Sequence, residues 1–204
     1  MVLKSIITVI NNSITLNINN MKYCSNCGSG NLAFRVPEKD SLPRYVCDKC
    51  QVIHYQNPKL VVGCIPELDG EVLLCRRAIE PRYGYWTLPA GFMENGESIE
   101  DGAARETKEE ANAVINKPLQ LFSIYSIPAI NQVHLFFKAA LKDNNFYPGI
   151  ESLEVKLFNK KTIPWDELAF ATVRKTLHNY YDDDDNKGIQ RDNVHIGTIK
   201  MSPR

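Results

Sequence analysis

Apolar positions along the chain fall into short runs divided by turn-forming residues. LVVGCIPEL and GEVLLCRR are β-branched and aliphatic, and the Asp69-Gly70 pair between them predicts a hairpin. LQLFSIYSI, QVHLFFKAAL and SLEVKLFN are three further strand candidates. The pattern turns helical at residues 98–111. Ser98 followed by Asp101 is a capping-box-like start, and Asn112 tolerates the left-handed conformation of a helix end, so the helix spans roughly 99–111. A closing helix is predicted from Leu168 to Tyr181. Strands mixed with two helices predict an α/β body from Pro58 to about Tyr181, with no internal repeat.

Around that body the patterning weakens. Residues 1–21 are rich in Asn, Ile and Thr and are expected to be a disordered lead-in, with a weak organelle-targeting segment (mitochondrion or plastid) as the alternative. Residues 22–57 hold two cysteine pairs and a loop, EKDSLPR. The acidic run at 182–185 opens a C-terminal tail, 182–204, and reads as the solvated end of the closing helix. The rest of the tail holds at most one short strand.

Composition narrows the classes of function. At 204 residues the chain can bury a proper core, and 44% apolar with 24% charged residues is ordinary for a soluble protein. Basic and acidic residues balance at 24 each, which gives no support for a general nucleic-acid or membrane-surface binder. No apolar run approaches the ~20 residues that cross a bilayer. A cytoplasmic location is expected, with the organelle as the alternative.

The cysteines carry the first chemistry. Cys24-x2-Cys27 and Cys47-x2-Cys50 have the spacing of a four-thiolate zinc site, in which each CxxC turn aims two sulfurs at one point. A closed site of four sulfurs leaves no open coordination position, so this zinc is expected to be structural. It staples a segment too small for a core of its own. Cys64 and Cys75 lie inside strand runs and are expected to be buried hydrophobes.

The helix at 99–111 carries the second. At about 100° per residue, Glu106, Glu109 and Glu110 fall in one arc near its C-terminus. Ala104, Thr107 and Ala111 form a small-residue face for packing on a sheet. Carboxylates at that end oppose the helix dipole and repel one another. Bound Mg2+ or Mn2+ reverses both penalties, since hard oxygen ligands suit these ions. Gly91 permits close backbone approach, so that its carbonyl can join the site. Arg105 and Glu97 can pair and hold the preceding loop.

These residues are identified with the Nudix signature, Gly-x5-Glu-x7-Arg-Glu-U-x-Glu-Glu-x-Gly-U, where U is bulky and aliphatic. The chain reads Gly91, Glu97, then Arg105-Glu106-Thr107-Lys108-Glu109-Glu110-Ala111-Asn112-Ala113. Every charged position matches. Thr107 and Ala113 replace bulky aliphatics, and Asn112 replaces glycine. The resemblance implies a Nudix α/β/α sandwich around a mixed sheet over residues 58–181, preceded by the small zinc ribbon at 22–57. It implies hydrolysis of a nucleoside diphosphate derivative, with Glu106, Glu109 and Glu110 as metal ligands. It also implies a further carboxylate outside the box, expected at Glu154 with Glu151 as the alternative, acting as ligand or base.

Among Nudix enzymes with a zinc ribbon, the NADH pyrophosphatases carry a Ser-Gln-Pro-Trp-Pro-Phe-Pro-type array. LFSIYSIPAINQVHLFF lacks it, which disfavours an NAD(H) enzyme. Most of residues 23–181 is similar to plant chloroplast-type FAD pyrophosphatases and bacterial relatives assigned to ADP-ribose. Matching stretches include YCSNCG, IHYQNPKLVVGCIPE, VLLCRRAIEPRYGYWTLPAGFMENGES and IPWDELAFATV. The resemblance therefore implies cleavage of FAD to FMN and AMP first, ADP-ribose second and NADH third. An aromatic or guanidinium platform would hold the flavin or adenine, and Arg77, Tyr85, Phe92 and Tyr125 are the candidates, with Arg76 and Tyr83 beside them. Trp86, Phe136 and Phe137 are read as packing residues. His54, His134, His178 and His195 have no ligand spacing and no nucleophile partner, so none is given a catalytic role. The family also implies a homodimer as an open option. A non-enzymatic zinc-ribbon nucleic-acid binder and an enzyme that removes RNA caps are the competing readings, both disfavoured by the neutral charge and the intact acid set.

Overall fold

The computed structural model describes residues 21–185 and 194–200, so the expectations for the first twenty residues and for most of the tail lie outside it. The chain divides into two compact units, Met1–Asn57 and Pro58–Arg204. In the first, β1 (Leu32–Arg35), β2 (Arg44–Cys47) and β3 (Ile53–His54) form an antiparallel sheet in that order. Its buried apolar residues among those described are Cys24, Pro37, Tyr45, Val46 and Cys47. A core this small cannot hold a fold without a cross-link or a metal.

The second unit is built on β4 (Lys59–Leu68) and β5 (Glu71–Arg77), joined by the expected hairpin. Asp69 and Gly70 take φ of 53° and 82°, the positive pair that a type I′ turn requires. Along the chain follow β6 (Trp86–Thr87), β7 (Ala90–Phe92), α1 (Ile99–Ala111), β8 (Gln120–Ile127), β9 (Gln132–Ala140), β10 (Ser152–Phe158), α2 (Ala171–Asp185) and β11 (His195–Thr198). The sheet order is β10-β5-β4-β9-β8-β11. It is mixed, because β4 runs parallel to β9 and β11 parallel to β8 while the other pairs are antiparallel.

β4 divides its edge between two partners. Its end pairs with β5, and its start pairs with β7 through Val61↔Phe92, Val62↔Gly91 and Gly63↔Ala90. Gly63 has to be glycine here, since a Cβ would overlap the Pro89 carbonyl and Ala90. This close crossing delivers the β7–α1 segment to the middle of the sheet.

Alternation along the strands fills the two faces. Ile65, Val72, Leu74, Phe136 and Phe158 pack with Val173, Leu177 and Tyr181 of α2, and Trp86 joins them as expected. On the other face Val62, Cys64 and Phe137 cluster with Ala103, while Leu73 and Cys75 cluster with Ala111. The result is the expected α/β/α sandwich. α2 runs through Asp185, beyond the expected end at Tyr181, and Asp183 pairs with His195 of β11 at 2.8 Å.

The C-terminal end of α1 is closed by residues 146–149, to which the sequence pattern assigns no element. The Tyr147 and Gly149 amides donate to the Ala111 and Glu110 carbonyls at 3.0 and 2.9 Å. The Asn112 side-chain amide donates to the carbonyls of Tyr147 and Pro148. Carbonyls of a last helical turn otherwise lack partners. A Cβ on Gly149 would overlap the Glu109 carbonyl, so only glycine lets the segment sit this close. Gly149→Ala is expected to push it off the helix at a cost of about 1–3 kcal/mol. At roughly 2–4 °C per kcal/mol, thermal unfolding should show a midpoint lower by several degrees. An unchanged midpoint would mean that the segment does not brace α1.

Candidate active site

α1 starts at Ser98, whose hydroxyl oxygen accepts from the Asp101 amide at 3.1 Å, and ends on Asn112 with φ 49°. Its buried residues are Gly102, Ala103, Glu106, Thr107, Glu110 and Ala111. The packing face thus uses Ala103 where Ala104 was expected, which rotates it toward the acids. Glu106 and Glu110 lie inside the buried arc, and Glu109 stands at its exposed edge. Thr107 fits a position of bulky aliphatics by donating its hydroxyl to the Ala103 carbonyl at 2.8 Å.

Arg105 joins this face to the loop before it. Its Nε and Nη2 donate to the two Glu97 carboxylate oxygens at 3.0 and 2.9 Å. Nη2 also donates to the Phe92 carbonyl at 3.1 Å. Nη1 donates to Glu106 at 2.7 Å and to Glu109 at 3.0 Å. A guanidinium has five N–H groups, and all five are used. Glu97 in turn accepts from the Glu94 amide at 2.7 Å. Hydrogen bonds from Arg105 and the Glu94 amide hold the Glu97 carboxyl below its usual range, and the same network raises the Arg105 pKa.

The acids of the arc are pushed the other way. Burial raises the Glu106 pKa against the pull of Arg105. Glu110, 6% exposed, is raised to about 8, first by burial and then by the charge of Glu106, with Glu151 adding to it. Gly91 on β7 lies against Glu106. A Cβ there would overlap the Glu106 carboxylate, so glycine at this position makes room for the carboxylate itself. Hard oxygen donors of this kind suit a divalent cation; here the three do not converge within 4.8 Å of one another, and Arg105 holds two of them, Glu106 and Glu109.

The acid outside the box is placed by a bulge. β10 pairs with β5 as Ser152↔Arg77, then Glu154↔Arg76, with one extra residue between them. Side chains directly opposite in an antiparallel pair share a face. Leu73 and Cys75 face α1, so Arg77 does too, while Arg76 and Glu154 face away. Glu154 pairs with Arg76 at 3.8 Å. Glu151 is the acid whose charge acts on Glu106 and Glu110. The extra residue of the bulge thus turns Glu154, the expected residue, to the far face of the sheet, and of the two it is the alternative, Glu151, whose charge reaches the acids.

The candidate platform residues separate. Tyr85 and Phe92 are exposed. Arg82 lies over the Tyr85 ring at 5.4 Å, and Lys59 over the Phe92 ring at 5.0 Å. Arg77 lies over the Phe170 ring at 5.1 Å. Tyr125 is a correction. It is 0% exposed, its hydroxyl accepts from Asn179 of α2 at 2.9 Å, and its ring has no free face for a base. His134 is equally internal, bonded to Thr172 and Gln132, and burial drops its pKa to about 4.

In the N-terminal unit the four cysteine sulfurs lie within 4.8 Å of one another, the one such group of three or more His, Cys, Asp and Glu atoms among the described residues. The Cys24–Cys50 and Cys27–Cys47 separations are both 3.6 Å. Sulfurs at ~2.3 Å from a tetrahedral zinc would stand ~3.8 Å apart, so the cluster fits the ion. His54 adds a contact that CxxC spacing could not show: its Nε2 lies 3.3 Å from the Cys24 sulfur and its Nδ1 3.5 Å from the Ser25 hydroxyl. The capping segment 146–149 was likewise missed. Its Tyr-Pro-Gly was its only turn signal, and nothing in it pointed to α1.

Comparison with known proteins agrees with this geometry. The NUDIX domain model matches residues 57–182, and the Nudix N-terminal zinc-ribbon model matches residues 22–56. A crystal structure of a NUDIX hydrolase from Nitrosomonas europaea superposes with a TM-score of 0.82 at 52% identity, covering 88% of this chain and 99% of that one. An ADP-ribose pyrophosphatase from Methanocaldococcus jannaschii is 32% identical over 57% of this chain and 69% of its own length. An NAD-capped RNA hydrolase, NudC, from Stutzerimonas stutzeri is 30% identical over 78% of this chain, which spans about half of that relative (54%). Zinc-ribbon cluster, buried acid arc and matched sequence models converge on one conclusion: this chain belongs to the Nudix hydrolase family.

Proposed function

We propose that the chain hydrolyses the diphosphate bond of an ADP ester, ADP-ribose first and FAD second, with Mg2+ or Mn2+ held by Glu106, Glu109 and Glu110. The observation that carries the proposal is the packing of two buried carboxylates, Glu106 and Glu110, with the charge of Glu151 acting on both and Arg105 pairing with Glu106 alone of the two. The relative named for ADP-ribose supports that substrate and moves it ahead of FAD, which rests on sequence resemblance alone.

In this reading the acids of α1 and the Gly91 carbonyl bind the ion, and Glu151 is the further carboxylate that positions or deprotonates the attacking water. A bound divalent cation neutralises the diphosphate and lowers the pKa of a coordinated water. Arg105 acts through others, keeping Glu97 and the Phe92 carbonyl in register with α1. Tyr85 and Phe92 are the proposed platforms for the base. Zn2+ in the ribbon is structural. The location proposed is the cytoplasm, and no described helix is long and apolar enough to cross a membrane. NAD-capped RNA is a second reading, favoured by the NudC relatives that cover most of this chain.

Product analysis separates these substrates. Purified protein with Mn2+ should convert ADP-ribose to AMP and ribose 5-phosphate, and FAD to FMN and AMP at a lower rate. Replacing Glu109 and Glu110 together by Gln should cut the rate at least about 100-fold. Release of NMN from NAD-capped RNA, with both small substrates left intact, would transfer the proposal to RNA.

The buried acids also predict an inverted pH dependence of stability. An unfolded Glu ionises near 4.5, whereas folded Glu110 holds its proton to about 8. The folded state binds the extra proton between those values, so metal-free stability is full below the lower value and falls as pH rises toward 8. Thermal midpoints of the zinc-loaded protein in buffer without Mg2+ or Mn2+ should decline across that window, and Glu110→Gln should flatten the decline. Added Mn2+ should raise the midpoint more at pH 8 than at pH 5.5. A metal-free midpoint that rises steadily with pH would contradict this electrostatic picture.

A further inference from the structure

We propose that His54 and Asn26 form a hydrogen-bonded outer shell around the zinc thiolates, His54 donating to Cys24 and Asn26 to Cys50, which slows loss of the ion. The inference concerns the ribbon alone and stands apart from the hydrolase reading. Four thiolates carry twice the charge that one Zn2+ neutralises, on a unit with little core to shelter them. Excess charge on sulfur invites protons and oxidants, and an N–H directed at the sulfur draws it away.

The backbone supplies part of this shell. The Ser29 amide bonds the Cys27 sulfur, and the Val52 amide bonds the Cys50 sulfur. Cys24 takes its contact from a side chain, with His54 Nε2 at 3.3 Å from Sγ. β3 puts the ring there, because its pairing Tyr45↔His54 fixes His54 against β2. The other ring nitrogen, Nδ1, lies 3.5 Å from the Ser25 hydroxyl. A hydroxyl donating to Nδ1 leaves the ring proton on Nε2, the nitrogen that faces sulfur. The group within 4.8 Å of one another is the four sulfurs without a ring nitrogen, so His54 partners one ligand and is not a fifth. Asn26 makes the matching contact from the first turn, its Nδ2 3.6 Å from Cys50 Sγ. Both residues between Cys24 and Cys27 thus serve the cluster, Ser25 by orienting His54 and Asn26 directly. Packing alone does not require one ring to meet a sulfur with one nitrogen and a hydroxyl with the other.

Two readouts on the full-length, metal-loaded chain test the assignment at one fixed pH. Zinc loss is followed as transfer to an excess of chromogenic chelator. Co2+ in place of zinc reports sulfur-to-metal charge transfer and the ligand-field bands. The variants are His54→Phe, which keeps a ring without the N–H, His54→Gln, whose amide can donate from the same place, and Asn26→Leu. His54→Phe is expected to release zinc about 10- to 100-fold faster. Its charge-transfer band should move to lower energy while the ligand-field bands of a four-sulfur site stay unchanged. His54→Gln should recover most of both. Asn26→Leu should act in the same direction and by less, since the Val52 amide remains on Cys50. Wild-type values of both readouts in His54→Phe overturn the proposal. So does faster loss with an unmoved charge-transfer band, which marks a merely structural role. Changed ligand-field bands overturn it too, by making His54 a ligand. Asn26 is exposed, so Asn26→Leu keeps the test open should His54→Phe fail to load metal, and wild-type values there overturn the shared shell.

Discussion

Like-charged carboxylates forced together at the C-terminal end of a buried helix are the constraint around which the second unit is arranged. Glu106 and Glu110 sit in the arc of α1 that packs on the sheet, where burial first and neighbouring carboxylates second raise their pKa values. The helix dipole adds to the penalty at that end. Arg105 offsets part of it and has no N–H left for more. An arrangement this unfavourable persists where its surroundings fix it and where a bound cation reverses its sign.

Three close approaches supply that fixation, and each turns on a missing side chain. Gly63 lets β7 lie against β4, which puts the loop before α1 at the sheet centre. Gly91 leaves the volume that the Glu106 carboxylate occupies, and Gly149 lets a chain segment close on the last turn of α1. The bulge in β10 acts in the same region, leaving Ser152 opposite Arg77 and turning Glu154 away. Local backbone geometry thus decides which charges meet, while the sheet and α2 provide the rigid support.

Much of this was legible because it is encoded within short spans. The hairpin at Asp69-Gly70, the caps of α1 at Ser98 and Asn112, the arc of acids and the two CxxC pairs each depend on neighbours a few residues apart. What escaped depends on contacts between distant segments. Glu151 and Glu154 are equally acidic in sequence, and only the register with β5 separates them. Tyr125 is a candidate platform for the base in sequence, yet it is fully buried and Asn179 of α2 donates to its hydroxyl. Ala103 replaced Ala104 on the packing face because the acids themselves are part of the buried side. His54 reaches Cys24 from thirty positions away.

The central claim is that the buried acids of α1 form the divalent-cation site. Titration of Mn2+ against nucleotide-free protein, followed by the loss of the free-ion electron paramagnetic resonance signal, tests it without any assumption about substrate. Wild type should bind Mn2+ saturably at neutral pH, and the binding should vanish when Glu106 and Glu110 are replaced by Gln. Equal Mn2+ binding by wild type and by that double variant, both folded, would contradict the account.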